Sequence, residues 1–576
     1  MINMSKFMDG GFLEEPRKSQ KLLKINETFN SCGVRELNPW DPEIASFIDP
    51  QWKPSCSKSS EQITELVDGM LVQRSAPHLK CSARCLYQVD DWHYTTSSWK
   101  NFDDFKPDCD VIETACTEHY WFFFYRTAYN FLHPYIFERN TTTRLVLTVG
   151  LTLGLCSSVS LSYPDFPKLL NPGKQITPIS KNPYSDEIVP DFTADESCEK
   201  PVDDEDYWMY KFRDLGYHSL QADDWLGASV NWPDCVGFKR SPAKHFMKPF
   251  QKRMEESGGE NIRATYQGIC RETYQDTSLY LDQFMGAYKN ESQIGFMWNN
   301  DLAHGEANGL FHVDEYFRGL LEKHKDRIKN AFVIIMGDHG LRFGDIRNTE
   351  VGELEDNNPF LMVSVPAKFR NSSLVQAIEE NSKKLITHYD TYASLMEVAE
   401  LVKEDRLHEL QDPKAEIYKK GHGSSFFRKA MIEPRNCKTL RIPYQYCLCE
   451  KEFEAPLNPK SDLVLKMGDH ILSHFQSMIK AGNAESLCSE MSVQYHNSKA
   501  EKLILGDERE VYRFTLTLNP SDGVFTGYVK VERDGENLDF SLLTDRFERV
   551  NRYGNQGKCV EDKEDLRPLC YCRKQS

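Results

Sequence analysis

Clusters of basic residues are missing from this chain. Its 576 residues carry 70 Lys and Arg against 87 Asp and Glu, a net charge of −17, and no stretch forms the positive stripe that a phosphate backbone requires. No nucleic-acid partner is expected. Internal repeats of solenoid period and low-complexity tracts are also lacking, which excludes stacked-repeat and disordered architectures. The first residues, MINMSKFMDGGFLEEPRKSQ, have no apolar core of the signal-peptide kind. One uncharged run, LVLTVGLTLGLCSSVSLSYP from Leu145 to Pro164, approaches membrane-spanning length. Its second half is rich in Ser and interrupted by Gly, so it reads as a buried strand followed by a loop, and no membrane span is expected.

Cysteine is what the chain has in abundance. The 17 cysteines gather mainly between Cys32 and Cys116 and between Cys437 and Cys572. Cys437, Cys447 and Cys449 are echoed by Cys559, Cys570 and Cys572, a long gap and then Cys-x-Cys each time. Structural zinc prefers cysteine pairs two to four residues apart, so these six residues are disulfide candidates, and the odd total leaves at least one thiol over. Sequons at Asn26, Asn140, Asn290 and Asn371 mark glycosylation candidates. Together they predict an extracellular or secretory-pathway protein, with a leader expected upstream of Met1.

The length exceeds what one core usually supports. Three regions are expected: a cysteine-containing domain over 1–140, an α/β core over 141–430, and a cysteine-rich α+β domain over 431–576. In the middle region short apolar runs (RLVLTVGL, SQIGFMWN, AFVIIMG and PFLMVSV) alternate with helical stretches such as HVDEYFRGLLEKHKDRIKN and YDTYASLMEVAELV. That alternation predicts an open, mainly parallel sheet. In the last region DLVLKMGDHILSHFQSMIKA reads as a helix, and VYRFTLTLNPSDGVFTGYVKVER as two antiparallel strands joined at PSDG.

Asp338 and His339 follow directly on AFVIIMG, at the carboxyl end of a strand, where ligands gather in open α/β sheets. Asp offers a hard anionic oxygen and His an imidazole nitrogen, and adjacent side chains leaving a strand end diverge, so the two suit two different metal ions, and Gly340 would let the backbone turn sharply beside a bound ion. Asp301 and His304 in WNNDLAHGEANGL lie just past another strand at a spacing suited to one ion. His422 sits between two glycines in YKKGHGSSFFRK. Blander readings fit other polar residues: Asp203 to Asp206 as a solvated helix start, Asp223 and Asp224 as a turn or cap ahead of a substrate-side role, and His312 as a helix-start residue.

The stretch IIMGDHGLRFGDIRNTEVGELEDNNPFLMVSVP resembles the signature of the alkaline phosphatase and sulfatase superfamily. With FRDLGYHSLQADDW, NWPDCVGFKRSPAKHFMKPFQ, WNNDLAHGEANGLFHVDEYF, HYDTYASLMEV, GHGSSFF and CKTLRIPYQYCLC, the chain from Cys81 to Cys572 is similar to the sulfatase-like family called domain of unknown function 229. The resemblance implies an alkaline phosphatase-like core with two divalent metals, zinc or calcium, hydrolysing a phosphate or sulfate ester of a small or glycan-type substrate. Asp301, His304, Asp338, His339 and His422 match its metal ligands. Two departures follow. Thr152 stands where the family's first ligand, an Asp ending Gly-Ile-Asp-Ser, is expected, and no Asn-Thr-Phe-Pro supplies a nucleophile, Thr177 being the nearest candidate. Residues 150–198 also form a shorter interval than the family's. The inherited hydrolysis is therefore expected to be impaired, and the alternative is a non-catalytic extracellular binding or structural protein.

Overall fold

The computed structural model describes Cys32, residues 40–120, 124–137, 151–155 and 198–573, except 228–230, 232–234, 289–290, 343, 443–445, 450, 505–508, 536, 544–546 and 562. Three strands lead the chain into the fold: β1 (Lys80–Gln88), β2 (Val111–Tyr120) and β3 (Phe124–Pro134), an antiparallel meander. Disulfides Cys81–Cys116 and Cys85–Cys109 staple it.

The central sheet contains β4 (Leu151–Leu155), β5 (His218–Asp223), β6 (His245–Phe246), β7 (Gln293–Asn299), β8 (Val333–Met336) and β9 (Leu361–Ser364). Their order is β6-β5-β7-β4-β8-β9. The first four neighbouring pairs run parallel and β9 runs antiparallel to β8. The apolar runs of the sequence have their cause here. Phe296, Trp298, Ile334 and Met336 point into one hydrophobic cluster, whereas Met297, Val333 and Ile335 point into another. A sheet covered on both faces needs apolar residues at every position.

Helices α1 (Trp208–Asp214), α2 (Lys248–Glu255), α3 (Glu260–Ile269), α4 (Tyr274–Ala287), α5 (Asp314–Lys323), α6 (Glu350–Asn357) and α7 (His388–Lys403) surround this sheet. α1 and α7 supply the first cluster with Trp208, Phe212, Tyr392 and Leu395, and α4 supplies the second with Leu281 and Phe284. The Thr387–Asp390 capping box fixes where α7 begins. The stretch expected to be one helix over 312–330 breaks at His324, whose Nε2 lies 2.6 Å from Asp282 Oδ1.

Leu86, Val111, Phe131 and Leu132 of the N-terminal meander join the same cluster as Leu220, Met297 and Val333 of the central sheet. Its opposite face forms a small separate cluster around Cys85, Cys109 and Ile112. The C-terminal region is built differently. In α8 (Asp462–Ala481), Val464, Met467, Ile471, Phe475 and Ile479 recur at helical spacing and pack on the antiparallel strands β10 (Glu510–Asn519) and β11 (Gly523–Asp534), with no central-sheet residue in that cluster. β10 and β11 meet at Leu518 and Gly523, around the expected PSDG turn. Among the described residues no helix is long and apolar enough to cross a membrane.

Candidate functional site

Asp338 and His339 leave the carboxyl end of β8, both buried. Asp338 Oδ1 accepts the His339 backbone N–H at 2.9 Å, and His388, at the start of α7, donates from Nε2 to the Asp338 carbonyl at 2.6 Å. His339 Nδ1 lies 2.6 Å from the Gly340 carbonyl, which can only accept, so Nδ1 carries the proton. Burial first, then the nearby Arg342, holds this imidazole well below its ordinary value. His339 Nε2 lies 3.2 Å from Asp338 Oδ2.

Gly340 serves a different purpose from the sharp turn expected of it. A Cβ there would stand 2.2 Å from the Glu355 carbonyl, and the Gly340 N–H donates to the Asp356 carbonyl at 2.8 Å. The glycine lets the end of α6 close against the loop. Arg342 and Arg347 both pair with the buried Asp356, at 3.7 Å and 2.7 Å.

Asp301 and His304 lie on one turn past β7, closed by the His304 N–H on the Asn300 carbonyl at 3.1 Å. Asp301 is exposed by area yet closely ringed: desolvation raises its carboxyl, while Thr273 donates to Oδ2 at 3.0 Å. His304 is half-buried, and burial lowers its imidazole against the opposing pull of Asp301. Asp224, at the end of β5, caps this turn, accepting the Asn300 and Asp301 N–H groups at 2.6 Å and 3.2 Å. Burial and the neighbouring Asp301 push Asp224 well up. Asp223 accepts from Gln221 Nε2 at 3.2 Å. Burial likewise pushes Glu255 up to about 7, with Asp301 among its charged neighbours. His304 is also among the charges that act on His339, so both pairs face the same end of the sheet.

His422 reaches this end from a short hairpin. Gly423 beside it lets the hairpin lie against α7, because a Cβ there would stand 1.9 Å from the Tyr389 carbonyl. The His422 ring meets Tyr389 edge-on at 5.3 Å, and Arg441 Nη1 lies 3.3 Å from both ring nitrogens. A fixed guanidinium there disfavours a second cation. By donor chemistry each Asp–His pair suits a divalent metal and His422 suits one less well, but among the described residues no three of these five side chains lie close enough together to hold one ion.

Thr152 does not stand level with these residues. In β4 it pairs with Ile334 and with Phe296, four residues before Asp338 and five before Asp301. The level of Asp338 falls past Leu155, outside the described residues. Thr177, Asn26, Asn140 and Asn290 also lie outside the described residues, and Asn371 is exposed on a turn. Asp203 is only partly the solvated residue expected: its carboxylate accepts the Lys239 and Arg240 N–H groups at 2.8 Å and 2.7 Å. His312 sits on a short turn before α5, 3.0 Å from Glu272.

All six cysteine candidates are disulfide-bonded: Cys437–Cys447, Cys32–Cys449, Cys559–Cys572 and Cys488–Cys570. The other described pairs are Cys56–Cys270 and Cys198–Cys235 besides the two in the meander, which leaves Cys156, outside the described residues, as the odd cysteine. Among the described residues, the groups of three side chains close enough to hold one ion, Cys437, Cys447 and Cys449, Cys559, Cys570 and Cys572, and Cys85, Asp108 and Cys109, are built on these bonded sulfurs. Sequence reasoning missed His388, Arg342 and Glu255 as site neighbours. For His388 a signal existed, a histidine directly after the Thr387 cap and three residues ahead of a helical apolar run.

Comparison with curated proteins returns no match. Among solved structures, a protein in the alkaline phosphatase superfamily from Vibrio parahaemolyticus is similar over 75% of this chain and 90% of its own, at 10% identity and a TM-score of 0.25. A family model described as protein of unknown function (DUF229) matches residues 186–497, more than half of the chain. That span holds β5 to β9, both Asp–His pairs and His422, and the chain belongs to the DUF229 family.

Proposed function

We propose that this chain is an extracellular or secretory-pathway hydrolase of alkaline phosphatase-like type, whose site at the ends of β7 and β8 binds a divalent metal and hydrolyses a phosphate or sulfate ester. The observation that carries this reading is the placement of Asp338 and His339, side by side and buried, at the carboxyl end of β8, with Asp301 and His304 on the turn past the parallel strand β7. Imidazole beside carboxylate favours zinc over calcium. Such a metal would supply charge to stabilise an ester oxygen. Asp338 and His339 would hold one such ion from β8, and Asp301 and His304 a second from β7. The protein's own work is orientation: the His339 N–H fixes one Asp338 oxygen, His388 fixes the carbonyl behind it, and Asp224 fixes the turn that presents Asp301. The eight disulfides support an oxidising compartment.

Zinc titration by calorimetry, alongside hydrolysis of nitrophenyl phosphate and nitrophenyl sulfate, tests the proposal. Wild-type protein should bind zinc, Asp338→Asn should abolish hydrolysis, and His388→Ala should weaken zinc binding roughly 10- to 100-fold, the usual effect of losing support behind a ligand. A wild-type chain that takes up no zinc would sink the proposal. Arg441 against His422 favours a second reading, a non-catalytic binding protein, for which zinc uptake without turnover of either ester is the expected result.

A further inference from the structure

A stretch of the N-terminal segment that the function above leaves unused crosses both ligand-bearing loops. Residues 40–52 contain only one short 3-10 turn, Ala45–Phe47, yet Ile44 is 1% exposed, packed with Ile346 and Val351 and flanked by Leu341, Phe47 and Ile48. Leu341 is two residues past His339. Glu43 accepts the N–H groups of Glu350 and Val351, at 2.9 Å and 3.2 Å, and so caps the first turn of α6. The other end of α6 accepts the Gly340 N–H through the Asp356 carbonyl at 2.8 Å. On the second loop, Asn308, four residues past His304, is buried and bonded to the segment both ways. Its Oδ1 accepts the Asp49 N–H at 2.8 Å, and its Nδ2 donates to the Phe47 carbonyl at 3.0 Å. Beyond this the Trp52 ring meets His312 at 5.4 Å, and disulfide Cys56–Cys270 ties the segment to the end of α3.

We infer that residues 41–52 form a strap that holds the Asp301–His304 loop and the Asp338–His339 loop as one unit, with Glu43 and Asn308 as its positioning residues. The physical case is preorganisation. Donors on two loops serve one site only if the loops keep their spacing, and tying each to a common third segment removes their independent motion. The assignment of a site to these loops rests on the metal-dependent reading above; the coupling of the loops does not.

Hydrogen exchange of the full-length protein tests the coupling, with the visible band of added Co²⁺ as a separate readout of the donors. Glu43 is exposed and Asn308, though buried, makes only two hydrogen bonds to the segment, so Glu43→Ala and Asn308→Ala should both fold. Each is expected to speed exchange about tenfold in both loops, 301–310 and 338–349, as loss of one or two such bonds would allow. Each should also weaken the Co²⁺ band, and Glu43→Gln should restore it, because the amide oxygen still accepts. Exchange that rises only in the loop next to each substitution would overturn the strap. Coupled exchange in a wild-type protein that gives no Co²⁺ band would uphold the strap and discard the metal reading instead.

Discussion

The two ends of the chain attach to the central sheet by opposite means. The N-terminal meander shares its core: Phe131 and Val111 lie in one cluster with Met297 and Val333. Even its polar link is desolvated, because Asp91 is 1% exposed and accepts the Phe238 N–H at 2.7 Å and Asn231 Nδ2 at 3.2 Å. The C-terminal module keeps a core of its own and touches the site region through charge: Arg347 to Glu548 at 3.4 Å, Glu353 to Arg513 at 3.0 Å, and Arg552 Nη2 to the Gly305 carbonyl at 2.5 Å. Continuous apolar packing makes two regions unfold together, whereas ion pairs across a seam allow each side its own cooperativity.

Core truncations break this contrast most severely. Phe131→Ala and Phe475→Ala should each cost ~3–5 kcal/mol, but in different calorimetric transitions, the first in that of the central sheet and the second in that of the C-terminal module. A single transition lowered equally by both would show that the seam is not a boundary. Next is Arg347→Met, which strips Asp356 and Glu548 of a buried partner and should destabilise by ~3–5 kcal/mol. Adding Glu548→Gln should then cost less than it does alone, if the seam is held by that pair.

A pH effect sharpens the N-terminal side. Burial pushes the Asp91 carboxyl up to about 6 from an ordinary 3.8. The folded state then holds this proton more tightly than the unfolded chain does. Its contribution is greatest when protonated and falls as pH rises from 3.8 to about 6, by up to roughly 3 kcal/mol in all. Denaturant unfolding across that window should show Asp91→Asn flattening the slope; an unchanged slope would mean Asp91 titrates normally. The smallest effect belongs to Arg552→Ala, an exposed contact expected to be worth no more than ~1 kcal/mol in the same unfolding assay.

Local patterns carried much of this fold. Val333–Met336 followed by Asp338 and His339 was legible because an apolar run must be buried and whatever follows it emerges at the carboxyl end of the sheet. The α8 stripe and the PSDG hairpin were legible for similar reasons. What stayed hidden depends on partners remote in sequence. Cysteine spacing identified Cys449 as bonded but could not choose Cys32 as its partner. Nothing near Glu43 announces that it caps a helix starting at Glu350. The level of Thr152 in the sheet, opposite Ile334 and Phe296, stayed hidden because strand register has no signature within the strand itself.

The Cys32–Cys449 bond spans 417 residues and so closes a covalent ring around the entire site-bearing body. A protease nick anywhere inside the ring would leave the halves joined, and the cut would show only on a reducing gel. During synthesis the ring cannot close until Cys449 emerges, so at ~5–20 residues per second Cys32 must wait on the order of 20–80 s as an open thiol. For that interval Cys32 can meet every cysteine made before Cys449, and the native bond must win over those earlier partners.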